Sequence, residues 1–347
     1  MEGQYHLFDG DGMVHGVRLR DGRATFSDAW VRTERWRAED AAGRAAVLKL
    51  GDAHGATGMT LLGIAAAKGT ILGGATATPT VMGTANTALE FHAGRLLALN
   101  EGDLPWHLRV LCDGALETLG RCTFGGAVAT RTFTAHPKLH PPSGDLHYIS
   151  YQVDRAPHLT YGVLDAAGKA VHTTAVPLRF PQMIHDLSIT NSYAVLWDLP
   201  LMFDPRAMVA EDRLPFTYDK SRGAQFGLLA RGAEGAATRW FSLPGCMIFH
   251  SLAAWEEEDA QLVRLFACRI EDFDLALPPA GNSHDPRTVD GGRPILFEFV
   301  FDLRTGGAEQ SCVIPLPQNV TGMDFPKCHP VRGTRLSSEQ QCIPGRA

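Results

Sequence analysis

Paired cysteines are missing from this 347-residue chain. Its seven cysteines are scattered, with Cys112 and Cys122 ten apart, and no C-x-x-C or zinc-finger spacing occurs. That excludes a disulfide scaffold and a structural zinc module, and it is the pattern of reduced, mostly buried thiols in an intracellular protein. Basic clusters are missing too. Lysine and arginine total 32 against 38 acidic residues, the net charge is −6 and the pI about 6.1, so nothing favours a nucleic-acid partner. Long apolar runs are absent as well. The most apolar stretch, "MTLLGIAAAKGTILGGATATP", is interrupted by Lys68 and several glycines, which reads as a short helix over roughly 59–67 followed by a Gly-rich loop, not a membrane span. The opening "EGQYHLFDGDG" has neither the basic nor the apolar region of a signal peptide, so none is expected. A hydrolase finds no support, because no G-x-S-x-G elbow and no Ser/His/Asp set stands out.

What the chain does have is a 45% hydrophobic content, enough for a large core, and a rhythm of short strands and turns. "MVHGVRLRDGRATFSDAWVRTERW" is two alternating runs joined at Asp21-Gly22, a strong hairpin signal. The device recurs around Ala93-Gly94, at Asp113-Gly114, within "LTYGVLDAAGKAVHTTAV", and at Thr305-Gly306-Gly307. The spacing is that of sandwiches, barrels and propellers, so an all-β fold is expected. Two regions break the rhythm. Residues 38–80 are rich in Ala and Gly and read as partly helical, while residues 197–224, with prolines at 200, 205 and 215, read as loop. No linker or low-complexity tract divides the chain, which reads as one domain.

Fourteen histidines are present, so a single one means little. Three share a context: His136 in "FTAHPKL", His185 in "PQMIHDLSIT" and His250 in "CMIFHSLAAWEEED". Each follows a short apolar run and is followed by a residue that breaks or redirects the chain, namely Pro137, Asp186 and Ser251. Histidines at the inner ends of propeller strands converge on the axis from distant points in the sequence. Neutral imidazole there suits iron, zinc or copper.

These three segments, 49 and 65 residues apart, resemble the iron-ligand segments of the carotenoid cleavage oxygenase family. "HLFDGDGMVHGVRLRDG", "GTANTALEFHAGRLLALNEGDLPW", "HDLSITNSYAVLWDLPLMFDP" and "FHSLAAWEEED" are similar to that family in the same order, and the resemblance covers most of positions 5–330. It implies a seven-bladed β-propeller with a small helical cap and a non-haem Fe(II) held by histidines, His136, His185 and His250 among them. O2 would cleave a carbon–carbon double bond of a carotenoid or apocarotenoid into two carbonyl products, with no organic cofactor. It also implies carboxylates behind the ligands. Glu101 takes the first such place, and Asp324, in "GMDFPKCHP", takes one where the family has Glu, one methylene longer. Where stilbene cleavers carry a phenol-binding Lys, this chain has Asn100, which argues against a stilbene substrate.

The resemblance further implies a fourth histidine ligand beyond residue 347 and a blade's worth of chain before the "FDGDG" hairpin. On that reading residues 1–330 form one propeller-type domain, incomplete at both ends, and 331–347 form a divergent, disordered tail. His284, in a polar loop, and His329, near that tail, are poor substitutes for the fourth ligand. The alternative is an inactive propeller that serves as a binding or interaction module, and iron content separates the two. Carotenoids reside in membranes, so peripheral membrane contact is also implied, with "VLWDLPLMF" and residues 59–72 as candidates either for a docking patch or for core. The location expected is cytoplasmic or plastid.

Overall fold

A computed structural model describes residues 6–67, 83–257, 259, 261–273, 275, 292–315 and 322–327. His284, His329, the tail at 331–347 and residues 68–80 of the Ala/Gly-rich region lie outside the described residues. The chain forms two compact units: residues 1–136 with 166–170 and 205–215, and residues 137–165, 171–204 and 216–347.

The first unit opens with a hairpin of β1 (Met13–Arg20) and β2 (Arg23–Trp30). Its turn residues Asp21 and Gly22 have φ of 50° and 72°, the left-handed pair that a two-residue hairpin turn requires. Helix α1 (Glu34–Ala42) follows, its first turn capped by Thr33, whose Oγ1 accepts from the Trp36 N–H at 3.1 Å. Helix α2 (Gly55–Ala67) starts four residues before the sequence reading placed it. Strands β3 (Ala88–His92), β4 (Arg95–Leu99), β5 (Trp106–Val110) and β6 (Leu116–Arg121) then form a four-stranded antiparallel meander. Fully buried Asp103 organises it. Its carboxylate accepts from Leu104 N (2.7 Å), Arg121 Nε (2.7 Å) and Trp106 Nε1 (3.0 Å), and the Arg121 guanidinium lies over the Trp106 ring. The Asp103 carbonyl also takes the Phe133 N–H at 2.9 Å, which fixes the segment leading to His136.

The second unit holds three more four-stranded antiparallel sheets. The first is β7 (Lys138–His140), β8 (Asp145–Tyr151), β9 (Leu159–Leu164) and β10 (Ala170–Val176). The second has the order β11 (Ser188–Ile189), β12 (Tyr193–Asp198), β15 (Ala224–Ala230) and β16 (Arg239–Leu243). Between β12 and β15 the chain makes a small ladder of β13 (Leu201–Phe203) and β14 (Phe216–Tyr218), with helix α3 (Pro205–Ala210) between those two strands. The last sheet is β17 (Met247–Glu257), β18 (Leu262–Ile270), β19 (Ile295–Asp302) and β20 (Ala308–Cys312). Its core contains Phe299 and Phe301, whose rings meet Phe226 at 4.9 and 5.6 Å, while Phe241 meets Phe301 at 5.3 Å. The all-β expectation holds, and repeated four-stranded meanders are the building pattern of propeller blades.

Residues 197–224 correct the loop reading. The prolines there punctuate regular structure and do not prevent it. Pro205 occupies the first turn of α3, where its missing N–H costs nothing, and Pro215 directly precedes β14. "VLWDLPLMF" resolves as core: Val195, Leu196, Trp197, Leu199 and Leu201 are all buried, so this candidate membrane patch is withdrawn. Among the described residues no helix is long and apolar enough to cross a membrane.

Two stability outcomes follow. Phe299→Ala, which empties a fully buried site, should lower unfolding free energy by roughly 3–5 kcal/mol. This would be read as a lower denaturant midpoint at unchanged slope, and a loss below about 1 kcal/mol would contradict the packing. The second concerns His147 on β8, fully buried with Nδ1 2.6 Å from the Tyr161 hydroxyl. Burial, with the Arg231 charge adding to it, pushes this imidazole from 6.5 down to about 3. Between those values the unfolded chain binds the proton and the folded chain does not. Its contribution is therefore complete above about pH 6.5 and is lost as pH falls towards 3. His147→Gln should flatten the acid-side slope of stability by up to about 1.4 kcal/mol per pH unit, and equal slopes in urea titrations would refute this.

Candidate metal centre

The three sequence-selected histidines come together. One ring nitrogen each of His136, His185 and His250 lies within 4.8 Å of the others. Among the described residues, this group has three members. His136 is the last residue of the first unit and is joined directly to Pro137, the first of the second.

Two stand just before a sheet's first strand and the third near the beginning of one, not at the end of a strand as the sequence reading had it. His136 lies in a bend two residues before β7, because Pro137 has no N–H to open the ladder and pairing begins at Lys138. His185 lies in extended chain three residues before β11. His250 is inside β17, next to a break in the β17–β18 register between Ile248 and Ser251. Three separate sheets thus repeat one device, in which the strand that starts the sheet also delivers an imidazole.

The surroundings of the rings are aromatic and acidic. His185 and His250 meet edge to face at 5.0 Å, Phe249 stands edge-on to His185 at 5.3 Å, and Phe325 lies against His250 at 4.2 Å. His250 Nδ1 is 2.9 Å from Asp324 Oδ1. An ionised carboxylate can only accept, so the proton sits on Nδ1 and the lone pair of His250 is on Nε2. Asp324, one of the two carboxylates selected from sequence, thereby fixes the tautomer of a ring in the group despite its shorter side chain. The same carboxylate faces Cys268. Burial first, and then the Asp324 charge, pushes that thiol up to about 12. Glu101, the other selected carboxylate, sits half-buried in the turn leaving β4.

The site also contains Asp186 and Ser251, which sequence reasoning saw only as residues that redirect the chain, and Lys138, which it did not single out. Asp186, which follows His185, binds Ser251, which follows His250, and Lys138, two residues after His136. The signal was present in the repeated pattern of a histidine followed by a redirecting residue, but nothing in the sequence said that these followers touch one another.

With this geometry in place, comparison with known proteins settles the class. Residues 1–337 match the family model described as retinal pigment epithelial membrane protein, RPE65. The chain belongs to this RPE65 and carotenoid cleavage dioxygenase family. It is 39% identical over 324 residues to carotenoid 9,10(9',10')-cleavage dioxygenase 1 of Arabidopsis thaliana, covering 93% of this chain and 58% of that protein. It is 37% identical over 319 residues to a chloroplastic 9-cis-epoxycarotenoid dioxygenase of the same plant, covering 89% of this chain and 53% of the relative. The chain thus spans somewhat over half the length of the curated relatives it matches. Among solved structures, a lignostilbene dioxygenase of Pseudomonas brassicacearum superposes with a TM-score of 0.71 at 27% identity, over 95% of this chain and 64% of that one. The fold is of the family's propeller type, and the described residues supply four four-stranded sheets, two two-stranded ladders and few helices.

The buried thiols of Cys246 and Cys268 should be inert. At pH 8 an alkylating reagent should modify exposed Cys112 and Cys312 in the native chain and leave Cys246 and Cys268, both held near 12, unmodified until denaturant is added. Mass spectrometry of the alkylated peptides checks this, and rapid native labelling of Cys268 would contradict its environment.

Proposed function

We propose that the chain carries the metal centre of a non-haem Fe(II) dioxygenase that cleaves a carbon–carbon double bond of a carotenoid or apocarotenoid with O2. The observation that carries this reading is the convergence of His136, His185 and His250 within 4.8 Å. Three neutral imidazoles are a donor set that iron accepts, and the Asp324 contact supplies the outer carboxylate that raises ligand basicity and fixes ring orientation. Glu101 is assigned the corresponding place behind another ligand on the resemblance alone. Residues 1–330 are read as one oxygenase domain, with 331–347 outside it.

The geometry supports these roles for the protein groups. His136, His185 and His250 bind the metal, and Asp324 retains the proton on His250 Nδ1 so that Nε2 stays a ligand. The Phe249 and Phe325 rings place apolar surface against His185 and His250, suited to a polyene. Bound Fe(II) would supply the redox activity needed to make O2 reactive towards an alkene. The balance is complete without another reductant: both bonds of C=C break, each carbon takes one oxygen atom, the carbons are oxidised and O2 is reduced. Asn100, where stilbene cleavers carry a Lys, favours a carotenoid over a phenolic stilbene. Because that substrate dissolves in membranes, the reading includes peripheral membrane contact, and a plastid location accords with the name of the chloroplastic relative.

Elemental analysis after anaerobic Fe(II) loading tests this. The expected result is one iron per chain, lost in His185→Ala and bound about tenfold or more weakly in Asp324→Ala. With a carotenoid, the loaded chain should form two carbonyl products that His185→Ala does not form. No iron retained by a soluble, folded chain would refute the reading.

A further inference from the structure

The geometry points to Asp186 as a positioning residue that holds the three histidine-bearing segments in register. Its side chain is 1% exposed and sits at the meeting point of these segments. Oδ1 accepts from the Leu187 N–H at 2.7 Å and pairs with Lys138 Nζ at 2.8 Å. Oδ2 accepts from both the N–H and the hydroxyl of Ser251, each at 2.8 Å, and that hydroxyl also lies 3.0 Å from the Leu187 carbonyl. The offsets matter. Lys138 is two residues after His136, Asp186 one after His185, and Ser251 one after His250. One buried carboxylate, next to His185, therefore ties to residues one or two positions after the other two imidazoles, without itself belonging to the group of three histidines.

The physical case rests on how costly the alternatives are. A buried carboxylate is tolerated only when its oxygens are satisfied, and here the four donors come from three different stretches of chain. Moving any one segment leaves a charge or an N–H unpaired in the interior. The register break in β17 fits this role, because the Ser251 N–H points to Asp186 at the place where the β17–β18 ladder is irregular. Metal centres need their ligands held within about 0.5 Å, and hydrogen bonds one or two residues from each ligand supply that constraint through the backbone.

The metal part of this inference rests on the proposed iron centre, and the structural part does not, so the test reads both. In the metal-free chain, amide hydrogen exchange is followed at residues 138–139, 187–188 and 250–252. Co(II) binding is then followed by visible absorption, which reports coordination geometry. Asp186→Asn should speed exchange about tenfold or more in all three segments together. It should also raise the Co(II) dissociation constant roughly 10- to 100-fold and displace the absorption bands. Glu298→Gln, which neutralises a carboxylate paired with Arg264 elsewhere in the same unit, should change neither. If Asp186→Asn does not fold, Lys138→Met and Ser251→Ala each remove one arm. The first should loosen 138–139 and the second 250–252, and both should weaken Co(II). Wild-type exchange and an unshifted Co(II) spectrum in Asp186→Asn, or loosening confined to 187–188, would overturn the inference. A wild-type chain that takes up no Co(II) would contradict the iron centre instead, and the exchange results would still decide the role of Asp186.

Discussion

Bringing three imidazole nitrogens within 4.8 Å of one another is a demand that no single local structure can meet when the residues are 49 and 65 positions apart. The backbone meets it by repetition. Each of three successive sheets starts with a strand, and a histidine stands just before or near the beginning of each such strand. Because sheet geometry fixes where first strands run, placing three side chains becomes a matter of three local offsets. Those offsets have visible causes: Pro137 delays the β7 ladder, Asp186 diverts N–H groups away from β11 and β17, and the β17–β18 register breaks beside His250.

The chemistry depends on the same arrangement. An imidazole binds a metal through the nitrogen that carries no proton, and a carboxylate on the far nitrogen decides which one that is. Asp324 does this for His250 at 2.9 Å. It also faces the Cys268 thiol, which burial and that charge keep protonated, so a potentially competing soft ligand stays inert beside the site. The proposed iron chemistry therefore draws on three separable contributions: the strands that deliver the three histidines, the buried Asp186 network proposed to space them, and the Asp324 contact to His250 Nδ1.

Much of this was legible in the sequence, for reasons that differ by feature. The hairpins at Asp21-Gly22 and Ala93-Gly94 were readable because left-handed turn residues between alternating runs leave few other structures. The three converging histidines stood out through a shared local context and resemblance to a family, since any one of fourteen is unremarkable alone. Asp324 was readable the same way, although its reach to His250 depended on a tertiary approach that sequence does not encode locally. The strands and helix within 197–224 were missed because proline was read as a breaker, whereas Pro205 and Pro215 sit where an N–H is dispensable. The Asp186 network was missed for a deeper reason: its partners Lys138 and Ser251 are distant in sequence, and only the folded chain shows that the followers of the three histidines are mutual neighbours.

The most direct measurement of the central claim is anomalous X-ray scattering at the iron edge from crystals of the chain grown or soaked anaerobically with Fe(II). The account predicts one strong peak within bonding distance, about 2.0–2.2 Å, of nitrogens from His136, His185 and His250, with Nε2 as the His250 ligand. An absent peak in well-ordered crystals, or a peak elsewhere with the three rings left uncoordinated, would contradict it.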